Sequence, residues 1–91
     1  MNIRWTAEAV ANLENICLYI SEDNSAAALK TVTTIYERIE ELVVFPNRGR
    51  MGREPGTREL VLTPLPYIAA YRVKDNTVEI LHIYHGAQDW G

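Results

Sequence analysis

Apolar and polar positions along the chain change period four times. Ile3 and Trp5 alternate with Asn2 and Arg4, the two-residue period of a short strand over residues 2–5. Val10, Leu13, Ile16, Cys17 and Ile20 then recur at three- and four-residue spacing, while Glu8, Asn12, Asn15 and Glu22 fall mostly outside that stripe, so a helix is predicted. Thr6 stands where an N-cap belongs, and Glu8 sits in the first turn, where the helix dipole favours an acid. The turn formers of 21–25 separate this pattern from a second one beginning near Ala26, in which Leu29, Val32, Ile35, Tyr36, Ile39, Leu42 and Val43 keep helical spacing. Pro46 ends it, and the short connection predicts a helical hairpin.

From Phe45 to Thr57 the periodicity vanishes. Gly49, Gly52, Gly56, Pro46 and Pro55 are interspersed with Arg48, Arg50 and Arg53, which predicts a long basic loop. Three apolar, β-branched runs follow at 58–63, 67–74 and 77–84, with turns at Leu65-Pro66 and Asp75-Asn76. A strand, two helices and three hairpin-linked strands predict an α+β domain, β-α-α-β-β-β, with the hairpin packed on one face of a mostly antiparallel four-stranded sheet. At 91 residues, with no linker or repeat, one domain over 1–91 is expected.

Composition narrows the function classes. Apolar residues make up 47% and charged residues 23% of the chain, the usage of a folding globular domain. One cysteine, Cys17, cannot form an internal disulfide; it belongs to the first helical stripe and is read as a small core residue. No run reaches the roughly 20 apolar residues of a membrane span, and no secretory signal opens the chain, so the expected setting is the reducing cytoplasm. The net charge of −3 argues against holding nucleic acid by charge alone. The charge is segregated: residues 1–44 carry three cations and seven anions, residues 45–91 six cations and five anions.

The order of elements carries several short motifs: Trp5-Thr6-Ala7-Glu8-Ala9, Leu18-Tyr19-Ile20, Phe45-Pro46-Asn47-Arg48-Gly49-Arg50, Pro55-Gly56-Thr57-Arg58-Glu59-Leu60, the Tyr67–Val73 strand, and a last strand closing on Tyr84-His85-Gly86. In this order and spacing they resemble the RelE/ParE toxins of type II toxin–antitoxin systems, along nearly the whole chain. The resemblance implies a cytoplasmic toxin silenced by a cognate antitoxin in a hetero-oligomer, acting without cofactor on one of two targets. A RelE-like toxin is a metal-free, ribosome-dependent messenger-RNA nuclease. A ParE-like toxin binds DNA gyrase and traps its cleaved-DNA state.

The nuclease reaction needs a proton acceptor, a proton donor and cations beside the phosphorane. Nucleases of this resemblance typically carry arginine directly after the tyrosine of the 67–73 strand, where this chain has Ile68, and they continue into a basic C-terminal segment, where this chain has Gln88 and Asp89. At about 3 kcal/mol per cationic contact, two absences correspond to roughly ten-thousand-fold in rate. The gyrase reading is therefore favoured. If the chain were a nuclease, its catalytic candidates would be Arg58, Arg72 and His85, with Glu54 or Glu59 as the carboxylate. Strand alternation opposes that grouping by placing Arg58 with Leu60 and Leu62 on one face and Glu59 with Val61 on the other.

For target or antitoxin binding the candidates are Arg48, Arg50, Arg53, Arg58, Arg72 and Trp90, since arginine forks engage carboxylate and phosphate. A third expectation is a family member that binds antitoxin without toxicity. His82 shares alternate positions with Ile80 and Tyr84, and with no ligand cluster at metal spacing no metal is expected. The three glycines lack the following helix of a phosphate-binding loop and are read as turn residues.

Overall fold

The structure, a computed structural model, describes residues 1–87. In chain order it runs β1 (Asn2–Trp5), α1 (Ala7–Ser21), α2 (Ser25–Glu40), a 3-10 turn (Glu41–Val43), β2 (Arg50–Met51), β3 (Arg58–Val61), β4 (Tyr67–Lys74) and β5 (Thr77–His85). The sheet order is β1-β5-β4-β3-β2. Among the described residues only β1 with β5 is parallel, because the helical hairpin carries the chain back before the remaining strands meander. The α+β expectation stands, with five strands in place of four: Arg50 and Met51, inside the stretch read as loop, pair with Glu59 and Arg58. A two-residue strand has no period, so its pairing partner alone creates it.

Local chemistry fixes the element ends. The Thr6 side chain accepts from the Ala9 amide at 3.1 Å and donates to the Leu81 carbonyl at 2.8 Å, so one hydroxyl caps α1 and ties it to β5. Asn24 caps α2 by accepting from the Ala27 amide. Asp75 and Asn76 have φ of 52° and 57°, the left-handed pair of a two-residue hairpin turn, which these residue types tolerate.

The core lies between hairpin and sheet. Ala9, Leu13, Ile35, Ile39 and Leu42 meet Leu60, Leu62, Ala69, Tyr71, Val78, Ile80 and Ile83. Full burial of each large aliphatic side chain stabilises the fold by roughly 1.5–3 kcal/mol. Leu13, Ile35, Ile39 and Leu42 of the expected helix stripes are buried, with Ile16 and Val32 packed against them. Val10, Leu29 and Tyr36, read as core, are exposed, and Ala9 and Ala28, outside the expected stripes, are buried. Among the described residues no helix is long and apolar enough to cross a membrane.

Candidate functional site

Tyr71 on β4 is fully buried, and its hydroxyl reaches out of the core to the end of the basic loop. It donates to the Pro46 carbonyl at 2.7 Å and accepts from the Gly49 amide at 2.9 Å. Burial pushes this phenol above its ordinary pKa, partly offset by the Gly49 hydrogen bond and the Arg58 charge, so it stays a donor at neutral pH. A Cβ at Gly49 would stand 2.7 Å from the Tyr71 ring, so any larger residue there must displace the ring or the loop. Arg58 closes the clip by donating to the Gly49 carbonyl at 2.8 Å and the Asn47 carbonyl at 3.3 Å. The basic loop is thus anchored, and Arg58 is its anchor.

On the sheet face away from the helices, register sets side chains in rows. Arg50, Glu59, Ala70 and His82 form one row, and Val61, Ile68 and Tyr84 a second. Arg72, Glu79 and Arg4 form a third. Arg50 bonds Glu59 at 3.0 Å, and the Tyr84 hydroxyl donates to the same carboxylate. Burial first, then Glu59, raises the Tyr84 pKa, while the charges of Arg50 and Arg53 lower it in part. Ala70 leaves a cleft of about 70 Å³ bounded by Arg53, Glu54, Thr57, Glu59, His82 and Tyr84. Ile68 is only 8% exposed and packs with Ala70 and Tyr84 into an apolar patch at the position where the nuclease resemblance wants a cation.

In the third row Glu79, 5% exposed, accepts from Arg72 Nε at 2.6 Å and pairs with Arg4 on its other oxygen. Sequence reasoning passed over Glu79 and Arg4. The signal available was an acid in the middle of an apolar strand, which is rarely buried unless paired.

His85 lies at the far end of β5, edge-on to Tyr67 at 5.5 Å, with Nδ1 accepting from the Ala87 amide at 3.0 Å. The nuclease candidates Arg58, Arg72 and His85 are therefore not brought together. Arg72 is on the open face and Arg58 on the helix face, and the Arg58 and His85 rows are four β4 residues apart, about 13 Å along the strand. Glu59 and Arg58 do point to opposite faces, as alternation requires. His82 corrects the sequence reading: a register shift between Ala70 and Tyr71 skips Leu81, so His82 shares its face with Tyr84 and not with Ile80.

Arg48 pairs with Glu41 at 2.5 Å and lies 4.6 Å over the Phe45 ring. Beside it Val44 and Phe45 are exposed, and on the hairpin Leu18, Tyr19 and Leu29 project into solvent at 64%, 73% and 69% exposure. Trp90, with Gln88 and Asp89, lies outside the described residues. Among the described residues no group of three or more His, Cys, Asp or Glu is placed to hold a metal ion.

Residues 3–90 match the model of a family described as the ParE toxin of the type II toxin–antitoxin system parDE. The chain is 43% identical over 88 residues to "Putative toxin Y4kP" of Sinorhizobium fredii, covering 97% of this chain and 91% of that protein. It is 36% identical over 84 residues to Toxin RelE2 of Caulobacter vibrioides, covering 92% and 93% respectively. Among solved structures, a chain of the chromosomal ParDE system from P. aeruginosa superposes with a TM-score of 0.83 at 35% identity, covering 93% of this chain and 95% of that one. A chain of the intact E. coli RelBE toxin–antitoxin complex reaches a TM-score of 0.67 at 12% identity over 96% and 98% of the two chains, a likeness of fold.

Proposed function

The chain belongs to the ParE toxin family of type II toxin–antitoxin systems, and on that premise we propose that, once free of its antitoxin, it docks on DNA gyrase and arrests growth by trapping the cleaved-DNA state. The observation that carries this reading is Ile68. The open face packs that position with Ala70 and Tyr84, so an aliphatic side chain occupies the place of a phosphate-stabilising cation. The arginines that a nuclease would use are already committed: Arg58 to the carbonyls of Asn47 and Gly49, Arg72 to Glu79. A docking surface asks for exposed apolar side chains and orienting charge instead. Leu18, Tyr19 and Leu29 on the hairpin, with Phe45 and Arg48 at the adjoining loop, supply both.

An antitoxin is the proposed partner in the resting cell, as the ParDE and RelBE assemblies suggest, and the apolar side chains left bare on the hairpin suit such a cover. Purified toxin added to gyrase is expected to abolish supercoiling and accumulate cleaved DNA. Primer extension on translated messages is expected to show no new cuts. Unimpaired supercoiling at saturating toxin would end the proposal.

One observation favours a second reading, a ribosome-dependent nuclease. Glu59, His82, Tyr84 and Arg53 bound the same small cleft, so a carboxylate, an imidazole and a guanidinium share the open face. Under that reading Glu59→Gln abolishes toxicity and message cleavage together; under the gyrase reading the variant keeps supercoiling inhibition.

A further inference from the structure

Beside the β4–β5 turn, cross-strand register sets two rows of side chains on the open face. Arg72, Glu79 and Arg4 form one, and Lys74 and Thr77 the next. Glu79 is only 5% exposed; one of its carboxylate oxygens accepts from Arg72 Nε and the other pairs with Arg4. The buried acid therefore fixes two guanidinium groups side by side. Each commits one nitrogen to Glu79 and keeps the rest of its fork for a further acceptor.

Lys74 has no such commitment. It is exposed, and among the described residues no acid lies within ion-pair distance of it. With Asp75, these side chains line a cleft of about 250 Å³. The cations of Arg4, Arg72 and Lys74 against the carboxylates of Glu79 and Asp75 leave it positive, on a chain whose net charge is −3. A strut tying β1 to β4 across β5 needs Arg4, Glu79 and Arg72, but it has no use for Lys74 or for the cleft beside them.

We propose that this cleft is a binding site for a small phosphate dianion, either inorganic phosphate or the terminal phosphoryl group of a small metabolite. Guanidinium forks match phosphate oxygens in pairs, and the Lys74 ammonium adds a point charge from the second row. The rows stand about 7 Å apart along the strands, a gap that one tetrahedral anion bridges. A carboxylate holds its oxygens in one plane, so it meets a single fork and leaves the other row unanswered. Nucleic acid is the poorer occupant. The net negative charge opposes a polyanion at range, its internal phosphates carry a single charge each, and a small dianion feels only the local field of the cleft. Asp75 on the rim opposes the anion. The cleft lies across the sheet from the helical hairpin, so the proposal is independent of whether gyrase or the ribosome is the target.

The test uses the isolated full chain at fixed ionic strength and about pH 7.5, where a phosphate monoester is mostly doubly charged. Inorganic phosphate and a nucleoside 5′-monophosphate are each expected to shift the Arg4 and Arg72 side-chain N–H resonances saturably and to raise the melting temperature as they do so. Matching midpoints identify the free anion as the ligand, and a nucleotide that binds roughly tenfold tighter identifies a phosphorylated metabolite; both support the site. Acetate is expected to bind at least about tenfold more weakly than phosphate, the scale of one lost charge-assisted hydrogen bond. Lys74→Ala, at an exposed position where folding is not at stake, should weaken phosphate by about tenfold. Asp75→Asn keeps a residue type that tolerates the left-handed φ of 52° and removes the opposing charge, so it should tighten phosphate by roughly threefold. The proposal is overturned by the absence of a saturable shift at Arg4 and Arg72, by equal affinity for acetate, by indifference of the phosphate affinity to Lys74→Ala or to Asp75→Asn, or by tighter binding of an oligo-dT without terminal phosphate.

Discussion

Tyr71 shows how one side chain can serve core and loop together. Its ring fills the centre of the sheet while its hydroxyl satisfies a carbonyl and an amide of the loop that follows α2. Tyr71→Phe keeps the ring and strands both loop groups. It is expected to lower unfolding free energy by roughly 1–3 kcal/mol in urea, the cost of leaving buried polar groups unmade. A loss below about 0.5 kcal/mol would show that water replaces the phenol and that the clip stabilises nothing. Gly49→Ala tests the same clip from the other side and should cost about 1–3 kcal/mol through overpacking against the ring. The phenol also sets a pH dependence. Tyr67, Tyr71 and Tyr84 all have folded pKa values raised above the ordinary 10.0, chiefly by burial. A raised value means that the folded state holds its proton longer. The associated stability is fully present below pH 10.0 and is lost as pH climbs through the folded values. Thermal unfolding at rising alkaline pH should show that decline, and Tyr71→Phe should make it shallower.

At the scale of elements, β5 outruns its neighbour. β1 covers it only as far as Ile80, and beyond that point the cap and the first turns of the first helix take over the exposed backbone: the Thr6 hydroxyl donates to the Leu81 carbonyl, and the Asn12 side-chain oxygen accepts from the Ile83 amide at 2.9 Å. Asn12→Ala should therefore speed hydrogen exchange at Ile83 selectively and cost about 1–2 kcal/mol of stability, with β4 amides largely unaffected. Equal protection at Ile83 in the variant would show that the helix itself, not the amide side chain, shields the edge. The bulge at Leu81 lies on this same stretch, and it marks where sequence reading stopped. Element order, the hairpin and the β4–β5 turn were legible because periods of 3.6 and 2 and the Asp75-Asn76 pair are local signals. The bulge was not, since one extra residue reverses the facing of His82 without altering its apolar context. β2 was hidden because two residues cannot display a period, and the Arg4–Glu79–Arg72 row because it joins strands distant in sequence. Arg58 was legible as a special arginine, but its task proved to be holding the loop.

For the molecule as a whole the two sides of the sheet do different work. The hairpin side carries most of the acidic residues and the bare Leu18, Tyr19 and Leu29, and the open face carries Arg4, Arg50, Arg72 and Lys74 among carboxylates. A toxin that docks by the hairpin should lose potency when that apolar surface is charged and should tolerate changes at the sheet end. Leu29→Glu, at 69% exposure, is expected to leave the melting temperature within a few degrees and to weaken gyrase inhibition by at least about tenfold. His85→Ala, at the exposed end of β5, is expected to retain most of the toxicity. These two variants, expressed from a controlled promoter and assayed for supercoiling and for message cleavage, separate the readings because each targets a different face. Full toxicity of Leu29→Glu with complete loss in a folded His85→Ala would move the functional surface to the sheet end and with it restore the nuclease. Ile68→Arg adds a further constraint: with that position 8% exposed and packed on Ala70 and Tyr84, a guanidinium must leave the patch or disrupt it. It should lower stability without creating ribosome-dependent cleavage, because the cations that would have to act with it are held by Asn47, Gly49 and Glu79.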